Sequence, residues 1–212
     1  HSWNRHDTTD DTPGYFRGVG IYEKTLRVNE IIDNHSFYLR FEGANQVTEL
    51  WVNDKYVGKH IGGYSAFCFD ISGYLRQGDN ALKIKVDNSH NLDIPPLSAD
   101  FTFFGGIYRD VNIVCVADAH FDLDYYGGPG LKYTTEVYGK DADINLTTFV
   151  NKQAKASDVK VVVELLDAEG NEQPANIYAH IVGNGSINNR SNAHTLDWDG
   201  NAWFAGDVST NV

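Results

Sequence analysis

A two-residue alternation of apolar and polar side chains constrains this chain more than any other feature. The stretch FYLRFEG places Phe37, Leu39 and Phe41 on one face and Tyr38, Arg40 and Glu42 on the other. ALKIKVDN turns Leu82, Ile84 and Val86 inward and Lys83 and Lys85 outward, and DVKVVVELLD aligns Val159, Val161, Val163 and Leu165. This is the period of half-buried strands, because successive side chains of a strand point to opposite faces. No segment shows the longer period of an amphipathic helix. Asn53-Asp54 stands between ELWV and YVGK, where a tight hairpin turn is expected. Asp167 to Gly170 separates two further strand-like runs. The expected fold is all-β and built of sandwiches.

A boundary is expected near residue 117. The strand RDVNIVCV ends there, and ADAHFDLDYY begins another, followed by a Gly-Pro-Gly loop. Residues 1–117 are rich in aromatic residues and glycine, with a net charge of −4. Residues 118–212 carry Val/Leu strands and an Asn- and Gly-rich loop from Gly183 to Asn192, with a net charge of −8. The second part has the length of an immunoglobulin-like sandwich. The whole chain carries −12, which argues against nucleic acid as a partner, since that needs a basic stripe. The charge also disfavours anionic lipid, and no apolar run has the length of a membrane span. The chain starts at His1 and has no Met, so it is expected to be a piece of a longer protein. Cys68 and Cys115 lie in apolar, β-rich runs and are expected as buried free thiols. No Cys/His cluster has zinc-ligand spacing.

For chemistry, one stretch stands out: SADFTFFGGIYRDVNIV, residues 98–114. No nucleophile elbow is present, and among 29 acidic residues only Asp100 is distinguished by its context. It precedes Phe101, Phe103 and Phe104. A carboxylate beside aromatic faces suits a sugar, whose apolar face packs on a ring while hydroxyls donate to the carboxylate oxygens. The plainer reading makes the phenylalanines core and Asp100 a turn cap. Gly105-Gly106 is expected to form a tight bend, and Arg109-Asp110 a structural ion pair.

Several motifs together resemble glycoside hydrolase family 2, specifically the N-terminal sugar-binding domain of its β-galactosidases. They are HSWN at the start, the Trp51–Asn53 strand, GGYSAFCFDIS at 62–72, GDNAL at 78–82 and GGIYRDV at 105–111. The resemblance covers residues 1–117. It implies a jelly-roll, galactose-binding-like β-sandwich there, with its upstream strand cut away. Residues 118–212 then fall where the family has its first immunoglobulin-like β-sandwich. It further implies that a catalytic barrel follows, absent from this chain, and holds the acid/base and nucleophile glutamates of a retaining mechanism. On this view no catalytic residue lies in the chain. Asp100 matches the family aspartate that contacts substrate hydroxyls, and in some members that aspartate also helps hold a sodium ion. Ser2 precedes Trp3 where the family often has Asp or Asn, which makes it a second substrate-binding candidate. The chain itself needs no cofactor on this view, whereas the full-length enzyme uses a monovalent or divalent cation. The implied partners are a β-galactoside, the chain's own C-terminal barrel and further copies of the same protein.

Three readings remain open from the sequence. One is the non-catalytic front of a family 2 exo-glycosidase, acting on β-galactosides or, in its nearest rivals, on β-glucuronides or β-mannosides. Another is a free-standing carbohydrate-binding module, for which Trp51 and Tyr64 are the available aromatic residues. The third is a purely structural pair of sandwiches.

Overall fold

The computed structural model describes residues 16–95, 103–117, 119–123, 127–139, 141–152, 166–171, 176–184, 189–191 and 194–196. Every regular element among them is a β-strand. No helix among them is long and apolar enough to cross a membrane. The chain divides into two compact units, His1–Val116 and Ala117–Val212.

The first nine strands are β1 (Val19–Val28), β2 (His35–Phe41), β3 (Ala44–Asn45), β4 (Val47–Val52), β5 (Lys55–Ile61), β6 (Phe67–Asp70), β7 (Gly78–Asp87), β8 (Gly106–Ile107) and β9 (Val111–Ala117). They form a four-stranded sheet in the order β1-β7-β4-β5, a three-stranded sheet β6-β2-β9, and the short pair β3-β8. Alternation sends one face of each larger sheet inward, and the two inner faces make one sandwich core. Phe37, Leu39 and Phe41 of β2 and Phe67 and Phe69 of β6 meet Leu50 and Val52 of β4 and Leu82, Ile84 and Val86 of β7. All six side chains expected in the core from β2 and β7 are there. The outward positions are polar as the pattern requires: Lys85 Nζ lies 2.7 Å from Glu49 Oε2 on the neighbouring strand. Arg40 Nε donates to Glu42 Oε1 at 2.7 Å, which holds the Glu42 carboxyl below its ordinary pKa.

Two details depart from expectation. Tyr38, expected on an outward face, is 1% exposed; alternation fixes which face a side chain takes, not whether that face is covered. Cys68 and Cys115 are both free thiols, but only Cys68 is partly buried and Cys115 is exposed. The two strands differ in how far they are covered: most side chains of β9 reach solvent, whereas β6 buries Phe67 and Phe69 on either side of Cys68.

The Asn53-Asp54 turn forms as expected. Both residues take positive φ, 51° and 63°, which a two-residue hairpin of the right-twisting kind demands. Asn53 does more than turn. Its Nδ2 donates to Tyr74 O at 3.0 Å and to Asn80 Oδ1 at 2.8 Å, and its Oδ1 accepts from Ala81 N at 3.0 Å. Asn80, wholly buried, uses its Nδ2 on Arg76 O and Gly78 O and its Oδ1 on Arg76 N. Two side-chain amides thus tie the β4–β5 hairpin to the turn that opens β7.

The second unit holds β10 (Ala119–Phe121), β11 (Leu131–Tyr138), β12 (Asp141–Lys152), β13 (Asn176–Asn184), β14 (Asn189–Ser191) and β15 (His194–Leu196). Asn151 of β12 faces both His120 of β10 and Asn184 of β13, so those strands lie on opposite edges of β12. Thr148 faces Leu131 of β11 and Ile181 of β13, so β11 shares the β10 edge. The pairing of β12 with β13 is parallel, an arrangement that alternation alone does not foretell. The turn at Asp167 is closed by Gly170 N donating to Asp167 O at 3.0 Å, with Asp167 Oδ1 accepting from Glu169 N and Asn171 N. Val159, Val161, Val163 and Leu165 lie outside the described residues.

Candidate functional site

Asp100 and Ser2, the expected sugar-binding residues, lie outside the described residues, as does Phe101. The described chain resumes at Phe103, three residues after Asp100, and shows how that segment is fastened to the first sandwich.

The fastening begins with a short ladder. Asn45 of β3 faces Gly106 of β8, and Ala44 faces Ile107. Gly106 has φ 75°, a left-handed conformation that glycine adopts without steric cost, so the expected sharp bend is present. Side chains then lock it. The Phe104 ring stacks on Tyr108 at 5.4 Å between centroids and 15° between planes. The Tyr108 hydroxyl donates to Gly63 O at 2.7 Å, and burial pushes its pKa up. Asn45 Nδ2 donates to Phe104 O at 2.6 Å. Gly63 leaves room for that amide: a Cβ there would stand 2.4 Å from Asn45 Oδ1. The double glycine at 62–63 therefore has a packing reason beyond its turn.

The expected Arg109–Asp110 ion pair does not form. Arg109 sits in a bend between β8 and β9, and its side chain is turned toward Glu42 and Tyr108. Arg109 Nη1 instead donates to Glu42 O at 3.3 Å, and its guanidinium sits 5.3 Å from the Tyr108 ring centroid. The Asp110 carbonyl accepts from Glu42 N at 2.9 Å. Sequence reasoning missed Asn45 and Tyr108. Nothing local set them apart: Asn45 stands in the polar stretch EGANQ, and both residues reach partners far along the chain.

The aromatic row that a free-standing sugar module would need is not assembled from Trp51 and Tyr64. Trp51 meets Tyr56 edge-on at 5.3 Å and 60°, with the Lys83 ammonium 5.7 Å from its ring centroid. Tyr64 instead neighbours Tyr108, at 6.3 Å and 58°. Neither pair offers two coplanar rings to a sugar. Among the described residues no group of three or more His, Cys, Asp or Glu stands close enough to hold a metal ion.

Near the same edge, His60 of β5 stacks on Phe67 at 3.8 Å and 10°, and its Nε2 is buried without a hydrogen-bond partner among the described residues. Desolvation lowers its pKa below the ordinary 6.5. The unfolded chain therefore binds a proton there more readily than the folded one. The stability contributed by the neutral ring is complete above about pH 6.5 and is lost as pH falls below it. His60→Phe keeps the stacking and removes the proton. Its melting temperature should fall less between pH 7.5 and pH 5.5 than that of the unsubstituted chain. Glu42, whose carboxyl titrates below its ordinary value of 4.5, acts at lower pH and leaves this window clear. Equal shifts in both proteins would remove His60 from the account.

Comparison with known proteins places these features in context. The profile described as glycosyl hydrolases family 2, sugar binding domain, matches residues 8–116. A beta-glucuronidase of Bacteroides fragilis is 33% identical over 171 residues, which make up 80% of this chain and 24% of that protein. A beta-galactosidase of Thermoanaerobacter pseudethanolicus is 33% identical over 159 residues, 73% of this chain and 20% of that protein. The crystal structure of an FMN-binding beta-glucuronidase from Facaelibacterium prausnitzii L2-6 is similar with a TM-score of 0.63 and 38% identity, over 71% of this chain and 24% of that one. The chain thus spans only about a quarter or less of the length of these relatives.

Proposed function

The chain belongs to family 2 of the glycosyl hydrolases, and from that premise we propose that it is the non-catalytic front part of a retaining exo-β-glycosidase. The family match over residues 8–116 carries this reading. In the proposal, residues 1–117 form the sugar-binding sandwich and residues 118–212 the first immunoglobulin-like one. A barrel encoded beyond them supplies two glutamates about 5 Å apart, one as nucleophile and one as acid/base. The front part supports the barrel and lends Asp100 to the sugar subsite, with Ser2 as a further polar contact. The fastened segment at 103–110 supports this, because a side chain that orients a substrate needs a rigid base. A sodium contact at Asp100 and assembly into homo-oligomers belong to the same proposal. Among the described residues no group of His, Cys, Asp or Glu forms a cation site by itself.

The proposed substrate is a terminal β-galactoside. A β-glucuronide is the second reading, favoured by the beta-glucuronidases among the relatives. Comparing kcat/KM of the full-length enzyme on aryl β-galactoside and aryl β-glucuronide separates the two.

The direct test is Asp100→Asn in the full-length enzyme. A charge-assisted hydrogen bond contributes about 1.5–3 kcal/mol. If it strengthens at the transition state, kcat/KM should fall at least about tenfold. The melting temperature should hold, because Asn keeps the size and one acceptor. A turn-capping role predicts the reverse, with lower stability and unchanged kinetics.

A further inference from the structure

Two polar atoms of one cross-strand pair are buried and unpaired. Thr48 of β4 and His60 of β5 stand opposite each other. Both side chains lie on the inner face of their sheet. Thr48 alternates with the outward Val47 and Glu49 and shares its face with Leu50 and Val52 of the core. The His60 ring is held by its stack on the core residue Phe67. Thr48 is 0% exposed. Thr48 Oγ1 and His60 Nε2 are each shut off from solvent, and neither has a hydrogen-bond partner among the described residues, the other atom included. Across its other edge Thr48 faces Val86, which has no polar side chain to offer. Glycine at 62 leaves the ring uncrowded on one side: a Cβ there would stand 3.5 Å from Nε2.

Buried polar groups are almost always paired, and ordered water pairs those that no side chain reaches. Opposed residues of an antiparallel pair hold their Cβ atoms about 4.5–5.5 Å apart, which puts both atoms within reach of one molecule of water size. The hydroxyl donates or accepts by rotation, and a neutral imidazole nitrogen does one or the other according to tautomer. Water does both and so serves either tautomer. An ion is a poor occupant, because neither side chain offsets its charge in apolar surroundings. We propose that the inner face of the β4–β5 pair is a binding site for one buried water, which bridges Thr48 Oγ1 and His60 Nε2. The bridge lies three residues before Gly63, whose carbonyl receives the Tyr108 hydroxyl. It steadies the end of β5 from which that fastening is made. The inference is independent of the sugar-subsite reading.

A crystal structure of the protein at neutral pH, at a resolution that shows ordered water, tests it directly. One water about 2.7–3.2 Å from both atoms is expected. A direct Thr48–His60 hydrogen bond, or no water at the two atoms, would overturn the inference. Thermal unfolding at pH 7.5 supplies a second test through Thr48→Val, which keeps the shape of the side chain and removes its hydroxyl. A bridged hydroxyl predicts a melting temperature lower by about 3 °C or more, since the substitution strands the water and the ring nitrogen. In a His60→Phe background the same substitution should cost less than about 1 °C or should stabilise, because the bridge is already gone. An unbridged hydroxyl predicts that Thr48→Val leaves the melting temperature unchanged or raises it in the unsubstituted chain. That result, or equal losses in both backgrounds, would also overturn the inference.

Discussion

Phe41→Ala should cost about 3–5 kcal/mol of folding stability, the range for truncating a buried phenylalanine. The ring is fully buried. It stacks on Phe67 at 4.8 Å and 6°, and meets Phe69 edge-on at 6.0 Å and 86°. Removing it opens a cavity between two sheets whose ladders prevent collapse, so both the transfer and the cavity contributions are felt. Tyr56→Ala is the control: that ring is 49% exposed on the outer face of the four-stranded sheet, and its loss should cost about 1 kcal/mol or less. Urea unfolding of the two variants measures the difference. A loss below about 1 kcal/mol for Phe41→Ala would mean that the sandwich core is wrongly drawn.

Asn80→Ala should cost about 2–4 kcal/mol, although no apolar contact is lost. The side chain has 0% exposure, and all four hydrogen-bonding positions of its amide are taken: Oδ1 accepts from Arg76 N and Asn53 Nδ2, and Nδ2 donates to Arg76 O and Gly78 O. Each buried group left unpaired costs about 1–3 kcal/mol. Asn80→Asp should be at least as damaging. It keeps the volume but turns an oxygen toward two carbonyl oxygens and adds a buried charge. Were Asp tolerated as well as Asn in thermal unfolding at pH 7.5, the amide network would not be the tie between the hairpin and the β7 turn.

The local half of this fold was legible in the sequence, and the reason is periodicity. Phe37, Leu39, Phe41, Leu82, Ile84 and Val86 declare their face because strand geometry repeats every two residues. Asn53-Asp54 declares its turn because few residues accept positive φ twice in succession. What alternation cannot show is contact across long sequence separations. Tyr38 reads as outward from its neighbours, yet it is 1% exposed. Asn45 reaches a carbonyl 59 residues away, and Tyr108 one 45 residues away. Gly63 reads only as part of the GGYSAFCFDIS motif, while its lack of a side chain serves the Asn45 amide. The parallel pairing of β13 is equally non-local. For the candidate site, the double glycine and aromatic cluster near Asp100 were visible, but the residues that hold them were not. Their partners lie in other strands.

The proposed role of this chain is to assist a glycosidase whose catalytic carboxylates lie in another part of the protein. The measurement closest to that claim is hydrolysis of aryl β-galactoside and aryl β-glucuronide by purified residues 1–212, beside the full-length enzyme at equal molar concentration. Turnover is expected from the full-length enzyme and none above background from the 212-residue chain. Turnover by a homogeneous preparation of the chain, abolished by substituting an acidic residue within it, would contradict the account.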